Sequence, residues 1–255
     1  MKFITDFNLN SNFKNPPQKL YYKGNLELLN SPKVAIVGSR KCSSYTKNIT
    51  LNLASTLKKY GVCVVSGAAI GVDIHAHTGA YPHTIAVFGN GLDQIYPLQN
   101  AKMIKDIYKN SLALSSYEPG IVAKGWQFLE RNLITVALSD AVVVAQADIK
   151  SGSMSSARAA IKFGIPLYVL PQRLDESSGT NELLASGKAQ IITDFDKFAM
   201  KFGLKNYDQN SDEIIEFIKQ NSNFDECYSK FGDLIYDYEL DGKIAIDGIY
   251  VRILC

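Results

Sequence analysis

Glycine beside hydroxyl and cationic side chains is the composition of a phosphate cradle, and this sequence contains it several times. In Val37-Gly38-Ser39-Arg40-Lys41-Cys42-Ser43-Ser44, Gly38 permits a tight turn, Ser39 and Ser43 offer hydroxyls, and Arg40 and Lys41 offer charge. In Ser66-Gly67-Ala68-Ala69-Ile70-Gly71-Val72-Asp73, two glycines permit close backbone approach to a ligand. Asp73 is placed there to cap a following helix or anchor the loop. Phe88-Gly89-Asn90-Gly91-Leu92-Asp93-Gln94 begins as Gly-x-Gly, but Gln94 stands where the dinucleotide fingerprint needs its third glycine. A plain packing turn is the alternative at each position.

Stacking chemistry is concentrated elsewhere. The segment Lys124-Gly125-Trp126-Gln127-Phe128-Leu129-Glu130-Arg131-Asn132 interleaves cations with aromatic rings. Cations that follow a backbone and rings that stack on bases are what single-strand binding requires. Core burial is the competing role for both rings and the stronger expectation for Trp126. Ser151-Gly152-Ser153 precedes a helical stretch at 154–163, and its amides and hydroxyls could hold an anion or simply cap the helix. The same alternatives apply to Ser178-Gly-Thr-Asn-Glu182. Asp73, His75 and His77 suggest a metal, but two histidines two apart fall on different faces of a helix, so structural histidines are expected.

These loops need elements to position them. Short apolar runs recur at Lys33–Val37, Val62–Ser66, Thr84–Phe88, Ser111–Ser115, Ala141–Ala145, Pro166–Leu170 and Ala189–Thr193. Several are apolar at successive positions, as strands covered on both faces must be. Between them lies helical spacing, such as Ile49, Leu53, Leu57 and Ile104, Ile107, Tyr108. Alternating strands and helices imply right-handed crossovers and a doubly wound, mainly parallel α/β sheet, with ligands at the carboxyl ends of its strands. Residues 1–32 are read as an extension leading into the sheet, 33–202 as a Rossmann-like binding domain and 203–211 as a linker. Residues 212–255 are read as a small winged-helix-like domain of short helices and a hairpin, its turn signalled by Asp247-Gly248. Leu234, Ile235, Tyr238 and Leu240 are expected to form its packing face.

The bulk numbers narrow the function classes. The chain has 255 residues, 46% hydrophobic and 20% charged, which suits a globular protein. No apolar run approaches the roughly 18 residues of a membrane helix, and residues 1–15 lack the apolar stretch of a signal peptide. Cys42, Cys63, Cys227 and Cys255 are scattered without C-x-x-C spacing, so a cytoplasmic protein without disulfides or structural zinc is expected. The net charge of +2 conceals an asymmetry: residues 210–255 carry ten acids and four bases, −6, and the remainder carries +8. A basic body suits a polyanion and an acidic tail does not.

In combination these segments resemble the DNA-processing protein A family, also called DprA or Smf. The resemblance is carried by Val34-Ala-Ile-Val-Gly-Ser-Arg40, by Ser66-Gly67 with Gly71-Val-Asp73 and Ala76-His77, and by Thr84-Ile-Ala-Val-Phe-Gly-Asn-Gly-Leu-Asp93 with Tyr96-Pro97. It continues through Pro119-Gly120, Phe128-x-x-Arg131-Asn132, Ser139-Asp140, Ser151-Gly-Ser153 and Ser178-Gly-Thr-Asn181, and spans about residues 16–195. It implies a Rossmann-like homodimer, without cofactor or metal, that binds single-stranded DNA and delivers it to the RecA recombinase in natural transformation. By motif, Arg40, Lys124, Phe128 and Arg131 would be the principal DNA contacts. Gly38, Ser39, Lys41, Ser66, Gly67, Gly89, Asn90, Gly91, Asn132, Ser151, Gly152 and Ser153 would complete the pocket. The family pattern F-P-x-R-N-R reads Phe128-Leu-Glu-Arg-Asn-Leu133 here, and Leu98, Ser116 and Gln172 stand where a lysine, a glutamate and a glycine are usual. The helical domain that many members carry ahead of the sheet is not expected.

Two enzyme classes compete with a binding role. A nucleoside-monophosphate phosphoribohydrolase has a related sheet, but of its P-G-G-x-G-T-x-x-E motif only the end is echoed, by Ser178-Gly-Thr-Asn-Glu182. A Rossmann dehydrogenase would need the missing fingerprint and an acidic ribose anchor. The expectation is a non-catalytic DNA binder.

Overall fold

Lys33–Val37 is apolar at its four successive positions from Val34 on because both of its faces are covered. Val34 and Ile36 enter one core with Leu53, Leu57, Val72 and Phe198, whereas Ala35 and Val37 enter another with Val136, Ala157 and Phe163. The computed structural model describes residues 1–204 and 213–254. Its first half runs β1 (Lys2–Ile4), β2 (Leu20–Gly24), β3 (Lys33–Val37), α1 (Ser44–Lys59), β4 (Cys63–Ser66), α2 (Val72–Ala80), β5 (Thr84–Phe88), α3 (Ala101–Asn110) and β6 (Leu112–Ser115). Then follow α4 (Gly125–Ala137), β7 (Ala141–Val144), α5 (Gly152–Phe163), β8 (Leu167–Val169), α6 (Ser178–Ala185), β9 (Gln190–Ile191) and α7 (Phe195–Ala199).

All seven expected strands form, most at full length or a residue or two shorter than their apolar runs, and the last reduced to Gln190–Ile191. They lie in a nine-stranded sheet of order β1-β2-β6-β5-β4-β3-β7-β8-β9, parallel from β6 to β9. Residues 1–32 do more than lead into it. β2 pairs antiparallel with β6, and β1 with β2, while Leu9 and Phe13 pack against the cores. The first compact unit accordingly spans Met1–Lys205. The chain winds from β3 outward to β6, then returns to the other side of β3 as β7. Adjacent β3 and β7 therefore diverge into loops on opposite faces, the crevice where doubly wound sheets take ligands.

The helices are set by local signals. Ser43 caps α1 by accepting from Thr46 N at 3.1 Å, and Leu53 and Leu57 are fully buried with Ile49 packed beside them. Ser151 caps α5, which ends at Gly164 in the left-handed conformation (φ 71°). Among the described residues no helix is long and apolar enough to cross a membrane.

The second compact unit, Asn206–Cys255, has its own core of Ile214, Ile218, Cys227, Ile235, Ile244 and Val251. Three helices, α8 (Glu213–Gln220), α9 (Phe224–Phe231) and α10 (Leu234–Leu240), precede a hairpin of β10 (Ile244–Asp247) and β11 (Tyr250–Ile253). The hairpin turns one residue later than expected. Asp247 pairs with Tyr250, so the loop is Gly248-Ile249, with Gly248 supplying the positive φ of 61°. Of the expected packing face, Ile235 is buried and Tyr238 packs on the core, but Leu234 and Leu240 are exposed, because α10 is short and rests on one side only. The linker expected over 203–211 lies, from 205 onward, outside the described residues.

Candidate nucleic-acid interface

The loops after β3, β4, β5 and β7 converge with the N-terminal turns of α4 and α5 on two confluent pockets. The larger, about 530 Å³, lies between the β3 loop (Gly38, Ser39, Arg40) and the start of α5 (Ser151, Gly152, Ser153, Ser156), with Phe128, Arg131 and Asn132 of α4 across it. The smaller, about 120 Å³, is walled by Ile70, Phe88, Tyr96, Pro97 and Phe128 and edged by Gly67, Gly89, Asn90 and Gln99. Arg40, Ala69, Phe128 and Arg131 line both.

The loop after β4 is held from below. Asp73 Oδ2 accepts from Gly67 N at 3.2 Å, so Asp73 anchors the loop and does not cap α2, whose N-cap is Gly71. His77 Nε2 accepts from Ala68 N at 3.3 Å, and Asn100 Nδ2 donates to Ala68 O at 3.0 Å. These two clamps fix Ala68 at a φ of 55°, a left-handed conformation that alanine rarely adopts. Thr84 Oγ1 donates to Val64 O, so at 2.7 Å it must accept from His77 Nδ1, which fixes the neutral tautomer with the proton on Nδ1. Burial accordingly lowers the His77 pKa to about 3, with the Arg131 charge acting in the same sense. Both ring nitrogens are engaged, and neither is free for a metal.

Arg131 is the main departure from a surface contact. The residue is only 4% exposed; its Nη1 donates to Val87 O at 3.0 Å and lies 4.0 Å from Asp73 Oδ2. Burial pushes the guanidinium pKa down and Asp73 pulls it up, while burial raises the Asp73 carboxyl against the same partner. Gly67 owes its identity to this arginine: a Cβ there would overlap the guanidinium. Ser66 is likewise structural, buried with its Oγ donating to Ile36 O at 2.6 Å. Gly38 lets α2 approach at Val72, and Gly91 makes room for Glu118 O. Asn90 spans its own loop, with Nδ2 donating to Gly91 O and Gln94 O at 2.9 and 2.8 Å.

The exposed groups lie above this layer. Arg40 and Lys41 are exposed, and Arg40 Cζ sits 5.7 Å from the centroid of the half-buried Phe128 ring. Tyr96, 47% exposed, stacks on Phe128 at 5.7 Å and 26°. Lys124 is exposed at the N-cap of α4, where its N–H donates to Gln127 Oε1 at 2.5 Å. Helix phase places Gln127 inward and leaves Trp126 55% exposed, edge-on to Tyr117, so Trp126 is not a core residue as expected. Lys41, Ser66, Gly91 and Lys124 stand outside the lining of both pockets; the other sequence-selected residues come together there. Sequence reasoning missed Tyr96, Gln99, Asp148 and Ser156 as lining groups. The Tyr96-Pro97 pair lies in the resembling string, whereas Ser156 is one small residue on an ordinary helix. Glu182, which a phosphoribohydrolase would need at the glycosidic bond, is exposed on α6 outside both linings.

Fold and pocket define a Rossmann-type α/β protein with a cationic, aromatic-walled cleft at the switch point of its sheet. The family model for DNA recombination-mediator protein A matches residues 7–203, and the chain belongs to that family. It is 38% identical over 182 residues to the DNA processing protein DprA of Streptococcus pneumoniae, covering 69% of this chain and 64% of that protein. It is 35% identical over 209 residues to the protein Smf of a Synechocystis species, covering 78% of this chain and 52% of that one. The chain thus spans between half and two thirds of these relatives' lengths. Among solved structures it is similar to DNA processing protein A from Helicobacter pylori, described for its single-stranded DNA binding mode, with a TM-score of 0.75 at 48% identity, covering 78% of this chain and 95% of that one. DprA from Streptococcus pneumoniae gives a TM-score of 0.71 at 36% identity, covering 76% and 70%.

Proposed function

We propose that this chain binds single-stranded DNA at the cleft between β3 and β7 and, as a cytoplasmic homodimer, delivers it to the RecA recombinase during natural transformation. The observation that carries the DNA reading is one cluster: Arg40 over Phe128 beside Tyr96, opening onto the N-terminus of α5. Guanidinium and helix amides attract phosphates while the rings take bases, without reading sequence. The binding mode described for the Helicobacter pylori relative supports the ligand, and the recombination-mediator family supports the RecA partner. Arg40, Lys41, Lys124 and Asn132 contact the strand directly. Arg131, Ser66, Gly67 and the Gly89–Gly91 loop shape the site from beneath. We read the Asn206–Cys255 unit as winged-helix-like and protein-binding, since its acidic surface suits a partner other than DNA.

Oligo-dT titrations at several salt concentrations test the reading. Affinity should fall with salt by about 0.7 log units per log unit for each phosphate engaged. Arg40→Ala and Lys124→Ala should each weaken binding and flatten that slope by about one contact. Unchanged affinity in both variants at moderate salt would overturn the site.

A further inference from the structure

The Asn206–Cys255 unit carries an aromatic surface that its own core does not use up. Phe224 and Tyr228 lie one turn apart on α9, and Tyr236 lies on α10. Their rings meet pairwise: Phe224 and Tyr228 stack at 5.7 Å and 23°, and Tyr236 stands 6.0 and 5.8 Å from them. Phe224 packs on the core, whereas Tyr228 and Tyr236 are 40% and 43% exposed. Adjacent rings left in water mark a binding surface, because a partner gains large contact area from stiff side chains.

The groups around the rings select the partner. Asp225 precedes Tyr228 by three residues, on the same side of α9. Tyr228 Oη donates to Asp233 Oδ1 at 2.9 Å, and the exposed Asp237 follows Tyr236. Among the described residues none of these three carboxylates is in an ion pair. The unit's cations are engaged elsewhere: Lys219 with Glu216, Lys243 with Asp241, Arg252 with Asp247, and Lys230 over Phe217 and Phe231. Rings beside unneutralised carboxylates attract a cation, and arginine meets both, since its planar guanidinium stacks on a ring and pairs with a carboxylate. Nucleic-acid bases would also stack on tyrosine, but their phosphates would meet the carboxylates.

We propose that this face docks an arginine-bearing segment of a partner protein, with guanidinium groups on Tyr228 and Tyr236 and against Asp225, Asp233 and Asp237. It rests on the reading of the unit as protein-binding and adds to it the surface used and the chemistry of the partner.

Fluorescence anisotropy of labelled deca-arginine and deca-lysine peptides with the full chain tests this, at about 0.15 M salt so that distant charges are screened. The arginine peptide should bind about two- to fivefold more tightly than the lysine peptide, and Tyr228→Ala or Tyr236→Ala should each remove that preference. Tyr236→Phe should retain it. Asp237→Asn, at an exposed position, should weaken both peptides without lowering the melting temperature. Oligo-dT affinity should stay unchanged in every variant. If neither peptide binds the full chain, or if neither tyrosine substitution alters binding, the face is overturned. Should the peptides in that second case still need residues 206–255, the unit remains protein-binding through another surface. If a chain ending at Lys205 binds the arginine peptide as tightly as the full chain, the protein-binding reading of the unit falls as well. Weaker oligo-dT binding by Tyr228→Ala and Tyr236→Ala would make the face a DNA contact and overturn the proposal.

Discussion

At Phe128 a half-buried ring lies between Arg40 and Tyr96, so one side chain serves both packing and stacking. Phe128→Ala should cost roughly 1–3 kcal/mol of single-strand affinity. Because the ring is only partly buried, the melting temperature should change little; a variant that melts early but binds normally when folded would rule out stacking. His77 supplies a second residue-scale prediction. Its folded pKa is lowered from 6.5 to about 3, so below about pH 6.5 the unfolded chain takes up a proton that the folded chain refuses. Stability from this group is complete above pH 6.5 and is lost toward pH 3, at up to about 1.4 kcal/mol per pH unit. Denaturant titrations should show a shallower acid slope for His77→Gln than for the native chain; an identical slope would mean that His77 is not held neutral.

Among the elements, α4 carries most of the site. Phe128, Arg131 and Asn132 recur at helical spacing, so one rigid helix presents a ring, a buried cation and an amide to the cleft. Its position is set by the end of β5. A Cβ on Gly89 would lie 3.1 Å from Phe128 Cδ1 and 3.3 Å from the Gln127 carbonyl, and backbone gives way less readily than a side chain. Gly89→Val should therefore push α4 outward, costing about 1–3 kcal/mol of stability. Oligo-dT affinity should fall with it even though residue 89 need not touch DNA. Retained affinity together with a lowered melting temperature would show that the seating of α4 does not govern binding.

The whole molecule divides charge between its units. A chain ending at Lys205 sheds eleven acids and four bases, or −7, together with a unit that has its own core. Within that unit Asp233–Asp241 contains four acids and no base, the wrong sign for a groove-reading helix. The shortened chain should keep a cooperative melt and bind oligo-dT at least as tightly as the full chain. A tenfold loss, about 1.4 kcal/mol, in a well-folded shortened chain would assign DNA binding to the acidic unit.

What the sequence determined by itself was whatever a local pattern encodes. Successive apolar residues marked the central strands of the parallel sheet, since burial on both faces leaves few polar positions. Glycines marked the strand ends, and the count of acids and bases marked the two units. It did not reveal β1 and β2, short strands of which β2 pairs antiparallel with the distant β6 and β1 with β2. Nor could it separate glycines that face a ligand from those that make room for protein. Gly67 reads as a phosphate-loop glycine until Arg131, distant in the chain, is found filling the space beside it. The same packing took Arg131 out of solvent, and the phase of α4 turned Gln127 inward and Trp126 outward. Ser156 is unremarkable in sequence and became a site residue only when the switch point brought α5 against the β3 loop. Burial periodicity is written along the chain, but which side chain completes which cavity is settled by contacts between elements that only the folded sheet brings together.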